Sequence, residues 1–185
     1  KTQLSNWDRW GKDDEIGALN LITPAKRKQA ADLVREGFSV SLAADLDTER
    51  SVDNFWPFEH VKISAGMDHY RFNSYHGLVH THIDALHHIA FDGKMWNGFP
   101  LDQSPKNGIH NLENGIFTRG ILMDIPRLKG VSYLEPETPI YPEDLEDWEK
   151  KAGVKVGAGD ALLIRTGRWA RRAKVGPWDI LEQAA

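Results

Sequence analysis

Gly120-Ile121-Leu122-Met123-Asp124-Ile125 is a short, largely apolar run closed by Pro126. A run of this length bounded by a breaker reads as a buried strand rather than a helix. Downstream, Pro142 stands at the first position of a helix expected from Glu143 to about Ala152, with Glu143 and Asp144 in its first turn and Gly153 at its stop. Ala161-Leu162-Leu163-Ile164-Arg165-Thr166-Gly167 is a second apolar run and a second expected buried strand. Strand, helix and strand in alternation place the chain in the α/β class, as a mixed β-sheet flanked by helices. Pro126, Pro136, Pro139 and Pro142 fall in a long loop, with no linker, so residues 1–185 read as one domain.

Upstream, Thr23 is an expected N-cap with Pro24 behind it, and Ala25 to Glu36 are strong helix formers stopped by Gly37. Ala30, Leu33, Val34 and Phe38 form the expected buried stripe, and Phe38 to Ala43 alternate as a strand does. Residues 45–60 read as a loop, because Trp56-Pro57-Phe58 contains a proline that cannot serve a central strand. Phe55, Trp56 and Phe58 either cover a core edge or wall a pocket. Arg71 to Ile83 reads as one or two extended segments interrupted at Gly77.

Composition narrows the chemistry. The chain has 185 residues, 41% apolar and 27% charged, with a net charge of −4. That is an ordinary globular mix with no basic field for nucleic acid or an anionic membrane. No apolar run approaches the roughly 20 residues of a membrane span, and a cytoplasmic address is expected from the lack of a signal sequence. With no Cys, disulfides, zinc thiolates and Cys nucleophiles are excluded. There is no Gly-x-Ser-x-Gly elbow and no phosphate loop. Arg165 and Arg168 are candidates for a substrate carboxylate, though pairing with a nearby acid is the stronger reading. The basic run from Arg168 to Lys174 reads as a solvated helix face.

The histidines are not scattered. Six of the eight, His69, His76, His80, His82, His87 and His88, lie within one short stretch. On an extended chain side chains alternate faces, so His76, His80, His82 and Asp84 would point the same way. Imidazoles and a carboxylate meeting at one point suit Zn²⁺, Mn²⁺ or Fe²⁺, and such an ion lowers the pKa of a bound water toward about 7. After a turn at Ala85-Leu86, His88 can reach back as acid, base or ligand. His87 is expected to face away, and His60, His69 and His110 carry no expected role. Trp96 and Asn97, in the turn-rich segment after the motif, are candidates for the pocket wall.

Thr81-His82-Ile83-Asp84-Ala85 followed by His88 resembles the signature His-x-Gly-Thr-His-x-Asp-x-Pro-x-His of the cyclase family of metal-dependent hydrolases, which includes kynurenine formamidase, isatin hydrolase and a zinc-dependent dienelactone hydrolase. Trp10 to Asn20 and Gly157 to Gly167 also resemble stretches of that family. The resemblance implies an α/β fold around a mixed sheet and a small-molecule substrate. It also implies assembly as a homo-oligomer, a dimer or tetramer. His82 and Asp84 would bind Zn²⁺ or Mn²⁺, and His88 would be catalytic or ligate a second ion. The chain departs from the signature at Leu78, where the family has its first His, at His80, where it has Gly, and at Leu86, where it has Pro. His80 is the expected replacement ligand, with His76 competing. The family's C-terminal His and acid have no counterpart, so the chain is expected to be C-terminally incomplete. The implied reaction is hydrolysis of a cyclic or aromatic amide or ester, arylformamidase-like or opening a lactam or lactone, with Trp56, Phe58 and Trp96 suited to a flat substrate. An inactive metal-binding homologue and an Fe(II) facial-triad oxygenase are the competing readings.

Overall fold

The computed structural model describes residues 5–103 and 105–180. In chain order it runs α1 (Pro24–Ala31), β1 (Glu59–Ser64), β2 (Met67–Arg71), β3 (Gly120–Asp124), α2 (Ile125–Lys129), α3 (Pro142–Ala152), β4 (Ala161–Arg165) and α4 (Arg168–Val175), with short 3-10 turns between. The class is α/β, with antiparallel and parallel pairing flanked by helices. The two senses of pairing fall in separate two-stranded sheets, β1 with β2 and β3 with β4. No described helix is long and apolar enough to cross a membrane.

Two compact units partition the chain. One takes Lys1–Gly37, Ile83–Ile121 and Val156–Leu162. Its loops are held by buried or half-buried carboxylates. Asp160, whose side chain is fully buried, pairs with Arg119 and Lys26, each at 2.5 Å. The Arg119 hydrogen bond holds its carboxyl well below the ordinary value, burial opposes that, and Lys26 reinforces it. Gly159 enables the approach. It has φ +78°, and a Cβ there would collide with the Leu21 carbonyl. Glu15 is likewise held low, first by Lys106, and accepts from the backbone N–H of Asn107 at 2.8 Å. Asp14 accepts from the Trp96 indole at 3.0 Å, and the Asn97 amide donates to the carbonyls of Gly11, Lys12 and Asp14.

The other unit takes Phe38–His82, Leu122–Lys155 and Leu163–Ala185. Here α3 begins at Pro142, as its sequence dictates, and ends at Gly153 in the left-handed region. Its buried Trp148 donates to the Leu122 carbonyl of β3 at 2.7 Å. Asp53 is 3% exposed and accepts from Arg172 at 2.8 Å. Burial alone would raise its carboxyl, but the Arg172 and Ser51 hydrogen bonds outweigh it and hold it low.

Several expectations need correction. Helix α1 starts at the Thr23 cap but stops at Ala31, and of the expected stripe only Ala30 is buried. Leu33, Val34 and Phe38 are exposed, and Phe38 to Ala43 form no strand. Strand β3 buries Ile121 and Met123 on one face only, and β4 exposes Leu162 and Ile164, so neither is a fully buried strand. The physical reason is shared. Apolar periodicity signals a face seeking cover, and among the described residues β4 pairs only with β3. Helix α2 occupies part of the expected loop, started by Asp124, whose carboxylate accepts the Arg127 N–H at 3.1 Å. The basic run forms α4, but Arg168, Arg171 and Arg172 are largely buried in ion pairs rather than solvated.

Asp160→Asn leaves Arg119 and Lys26 without their anion, and we expect a loss of about 3 kcal/mol of unfolding free energy at pH 7. The wild-type contribution is complete above the unfolded carboxyl value, about pH 4, and fades as pH falls through the lower folded value. Urea titrations at stepped pH check this. The gap between wild type and variant should narrow only below about pH 4, and a gap independent of pH contradicts the assignment.

Candidate metal centre

Beyond β2 the chain leaves the strand and bends at residues 77–80, and residues 81–85 join no ladder. The segment is therefore not one continuous strand, and the alternation argument for a common face does not apply across the bends. The bends produce a different convergence. One ligand atom each of His76, His82 and Asp84 lies within 4.8 Å of the others. His76 and Asp84 are exposed and His82 is half-buried. The bends send His80 elsewhere. It is 7% exposed, meets the Phe72 ring edge-on at 5.9 Å, and is not in the convergent set.

His80 still contributes through its backbone. Its carbonyl accepts a hydrogen bond from His82 Nδ1 at 2.8 Å. A carbonyl only accepts, so Nδ1 carries a proton, and in the neutral ring Nε2 presents its lone pair. That is the outer hydrogen bond that orients a metal-ligating imidazole. Tyr75 lies against both rings, its centroid 4.6 Å from His76 and 5.8 Å from His82. Two imidazoles and a carboxylate, open to solvent on one side and without thiolate, fit a borderline divalent ion with room for substrate. Zn²⁺ and Mn²⁺ both satisfy that donor set.

The turn expected after Asp84 is present, with the His88 N–H donating to the Ala85 carbonyl at 3.0 Å. It sets His88 Nε2 3.9 Å from Asp84 Oδ2, with both side chains substantially exposed. His87 is turned to Asn107, whose carbonyl accepts from its Nδ1 at 3.2 Å.

Residues 24–183 match the family profile described as Putative cyclase. The chain belongs to that family. A solved structure described as the crystal structure of a novel cyclase superposes with a TM-score of 0.81 at 29% identity, covering 98% of this chain and 72% of that one. No curated protein gives a significant match.

In this cyclase-family chain the aromatic candidates separate. Trp56 lines a cavity of about 260 Å³ together with Phe55, Leu78, Val79, His76 and His80. Phe58 instead packs against Phe72 at 4.9 Å and Tyr70 at 5.7 Å. Trp96 is occupied by Asp14 and by Trp10, 6.2 Å away, and Asn97 holds the N-terminal loop. Asp84 borders a second cavity of about 270 Å³ with Ile16, Leu19, Ile83 and Leu86. Arg165 pairs with Asp124 at 2.8 Å and Arg168 with Asp53 at 3.5 Å, the acid pairing weighed against substrate binding. Sequence reasoning missed Tyr75. Its only signal was adjacency to His76.

The geometry separates the two imidazoles that compete for the position of the missing family His. Alanine at His76 or His82 should weaken Zn²⁺ binding by about 10- to 100-fold or more. His80→Ala keeps the carbonyl that orients His82 and should weaken it far less. Calorimetric titration with Zn²⁺ checks this, and a His80→Ala loss as large as that of His82→Ala would contradict the arrangement.

Proposed function

We propose that this chain is a metal-dependent hydrolase that opens or cleaves a cyclic or aromatic amide or ester of a small molecule. The observation that carries the reading is the convergence of His76, His82 and Asp84 beside an exposed His88, in a chain of the cyclase family. A bound Zn²⁺ or Mn²⁺ would supply Lewis acidity toward a carbonyl oxygen and toward water. The chain's own residues do the rest. The His80 carbonyl keeps the His82 Nε2 lone pair available. Asp84 adds negative charge that favours the cation. His88, near Asp84 and open to solvent, takes a proton from the attacking water and returns it to the leaving nitrogen or oxygen. Trp56 and Phe55 give the adjoining cavity an apolar wall that suits a flat acyl or aryl group.

Deformylation of an aryl formamide, as in tryptophan catabolism, and the opening of a lactam or lactone are the favoured reactions. The proposed compartment is the cytoplasm. We also propose a homo-oligomer, dimer or tetramer. The exposed Phe38, Val40 and Leu42 support it, because such apolar runs are commonly covered by a partner.

The test is turnover of N-formylkynurenine, isatin and a dienelactone by protein supplied with Zn²⁺ or Mn²⁺, with and without oxygen. We expect hydrolysis of at least one substrate, equal in the absence of oxygen. His88→Gln should lower kcat about 10²- to 10⁴-fold while metal content stays unchanged. Oxygen-dependent turnover, or metal binding without turnover of any substrate, sinks the hydrolase reading.

A further inference from the structure

A third cavity, none of whose lining residues belongs to the candidate metal centre, has the chemistry of an anion site. It measures about 350 Å³ and lies between the Leu134–Ile140 segment and α4, with Arg168, Arg171 and Trp178 on its wall. Arg168 and Arg171 are only 13% and 14% exposed in their side chains. Both guanidinium groups stack on the Trp178 ring, 4.3 and 4.6 Å from its centroid. Arg168 reaches Asp53 through Nη2 at 3.5 Å, and Arg171 reaches Glu135 through Nε at 2.8 Å. Their other donors are left over. Among the described residues, Arg168 Nε and Nη1, Arg171 Nη1 and Trp178 Nε1 are buried and meet no acceptor.

These groups cannot satisfy one another. Guanidinium and indole N–H groups donate and never accept. A buried donor without an acceptor is costly, more so when it carries charge. Burial lowers the Arg168 pKa despite the attraction of Asp53, which marks a cation incompletely compensated. The acids on the wall, Glu135 and Glu137, are both exposed, so water screens them. What is missing is an acceptor-rich group of negative charge.

We propose that this cavity binds a small oxyanion, a carboxylate or phosphate group, held by Arg168, Arg171 and the Trp178 indole. Bidentate contact with planar guanidinium groups is the strong form of such binding. Leu134, Pro136, Pro139 and Ile140 line the remainder, so the ligand carries a compact apolar part behind its anionic head.

The probes are inorganic phosphate and butyrate, with sodium chloride at matched ionic strength as control, added to the ¹⁵N-labelled chain. The Trp178 indole resonance is identified by its loss in Trp178→Phe. It should shift saturably with at least one probe, and which probe acts separates the phosphate from the carboxylate source. Arg171→Gln, whose wild-type partner Glu135 is solvent-exposed, should weaken that affinity about tenfold or more while the other indole resonances stay in place. Trp178→Phe keeps an aromatic ring but removes the indole donor, and calorimetry should find the same anion bound more weakly. No shift beyond the chloride control, or an affinity unchanged in both variants, overturns the site.

Discussion

The hydrogen bond from His82 Nδ1 to the His80 carbonyl is the constraint on which the candidate metal centre turns. It ties the tautomer of one ligand to the backbone of a neighbouring residue. It forms where the chain bends at residues 77–80 instead of continuing as a strand. The same bends bring His76 back toward His82 and Asp84 and bury the His80 ring against Phe72. A regular strand would send alternate residues to opposite faces and space the same-face residues along its length. An irregular segment instead gathers three donors from one short run.

Elsewhere in the chain, buried and half-buried carboxylates fasten irregular backbone. In one unit Asp160 gathers Lys26 and Arg119, both distant in sequence, and Glu15 gathers Lys106 and the Asn107 N–H. In the other, Asp53 gathers Arg168, Arg172 and Ser51. Each pair is stabilising because its desolvated carboxylate is answered by more than one donor, the condition under which buried charge is tolerated. Arg168 shows the converse. It shares Asp53 with Arg172, its Nε and Nη1 meet no acceptor, and the residue lines a cavity.

Much of the architecture is legible in the sequence because local chemistry decides it. Thr23-Pro24 starts α1, Pro142 and Gly153 bracket α3, and the runs at Gly120 and Ala161 become β3 and β4. The β1–β2 hairpin is not legible, because nearly every residue in it is exposed and no alternation of polarity marks a buried face. The short reach of α1 is hidden as well, since Asp32 to Glu36 are compatible with helix by propensity and only tertiary contacts decide. At the candidate site, residue types point to His82 and Asp84, two of the three convergent side chains, and the turn sets His88 3.9 Å from Asp84. The choice between His76 and His80 depends on backbone bends that periodicity does not encode. The competing roles of Trp56 and Trp96 depend on partners far away in the chain, Asp14 above all.

The centre is tested most directly by crystals of the Zn²⁺-loaded protein and an anomalous difference map at the zinc edge. The account predicts a peak bonded to His76, His82 and Asp84, through Nε2 at His82, with Nδ1 still hydrogen-bonded to the His80 carbonyl. A zinc ion ligated by the His80 imidazole in place of His76, or an anomalous peak away from this segment, would contradict it.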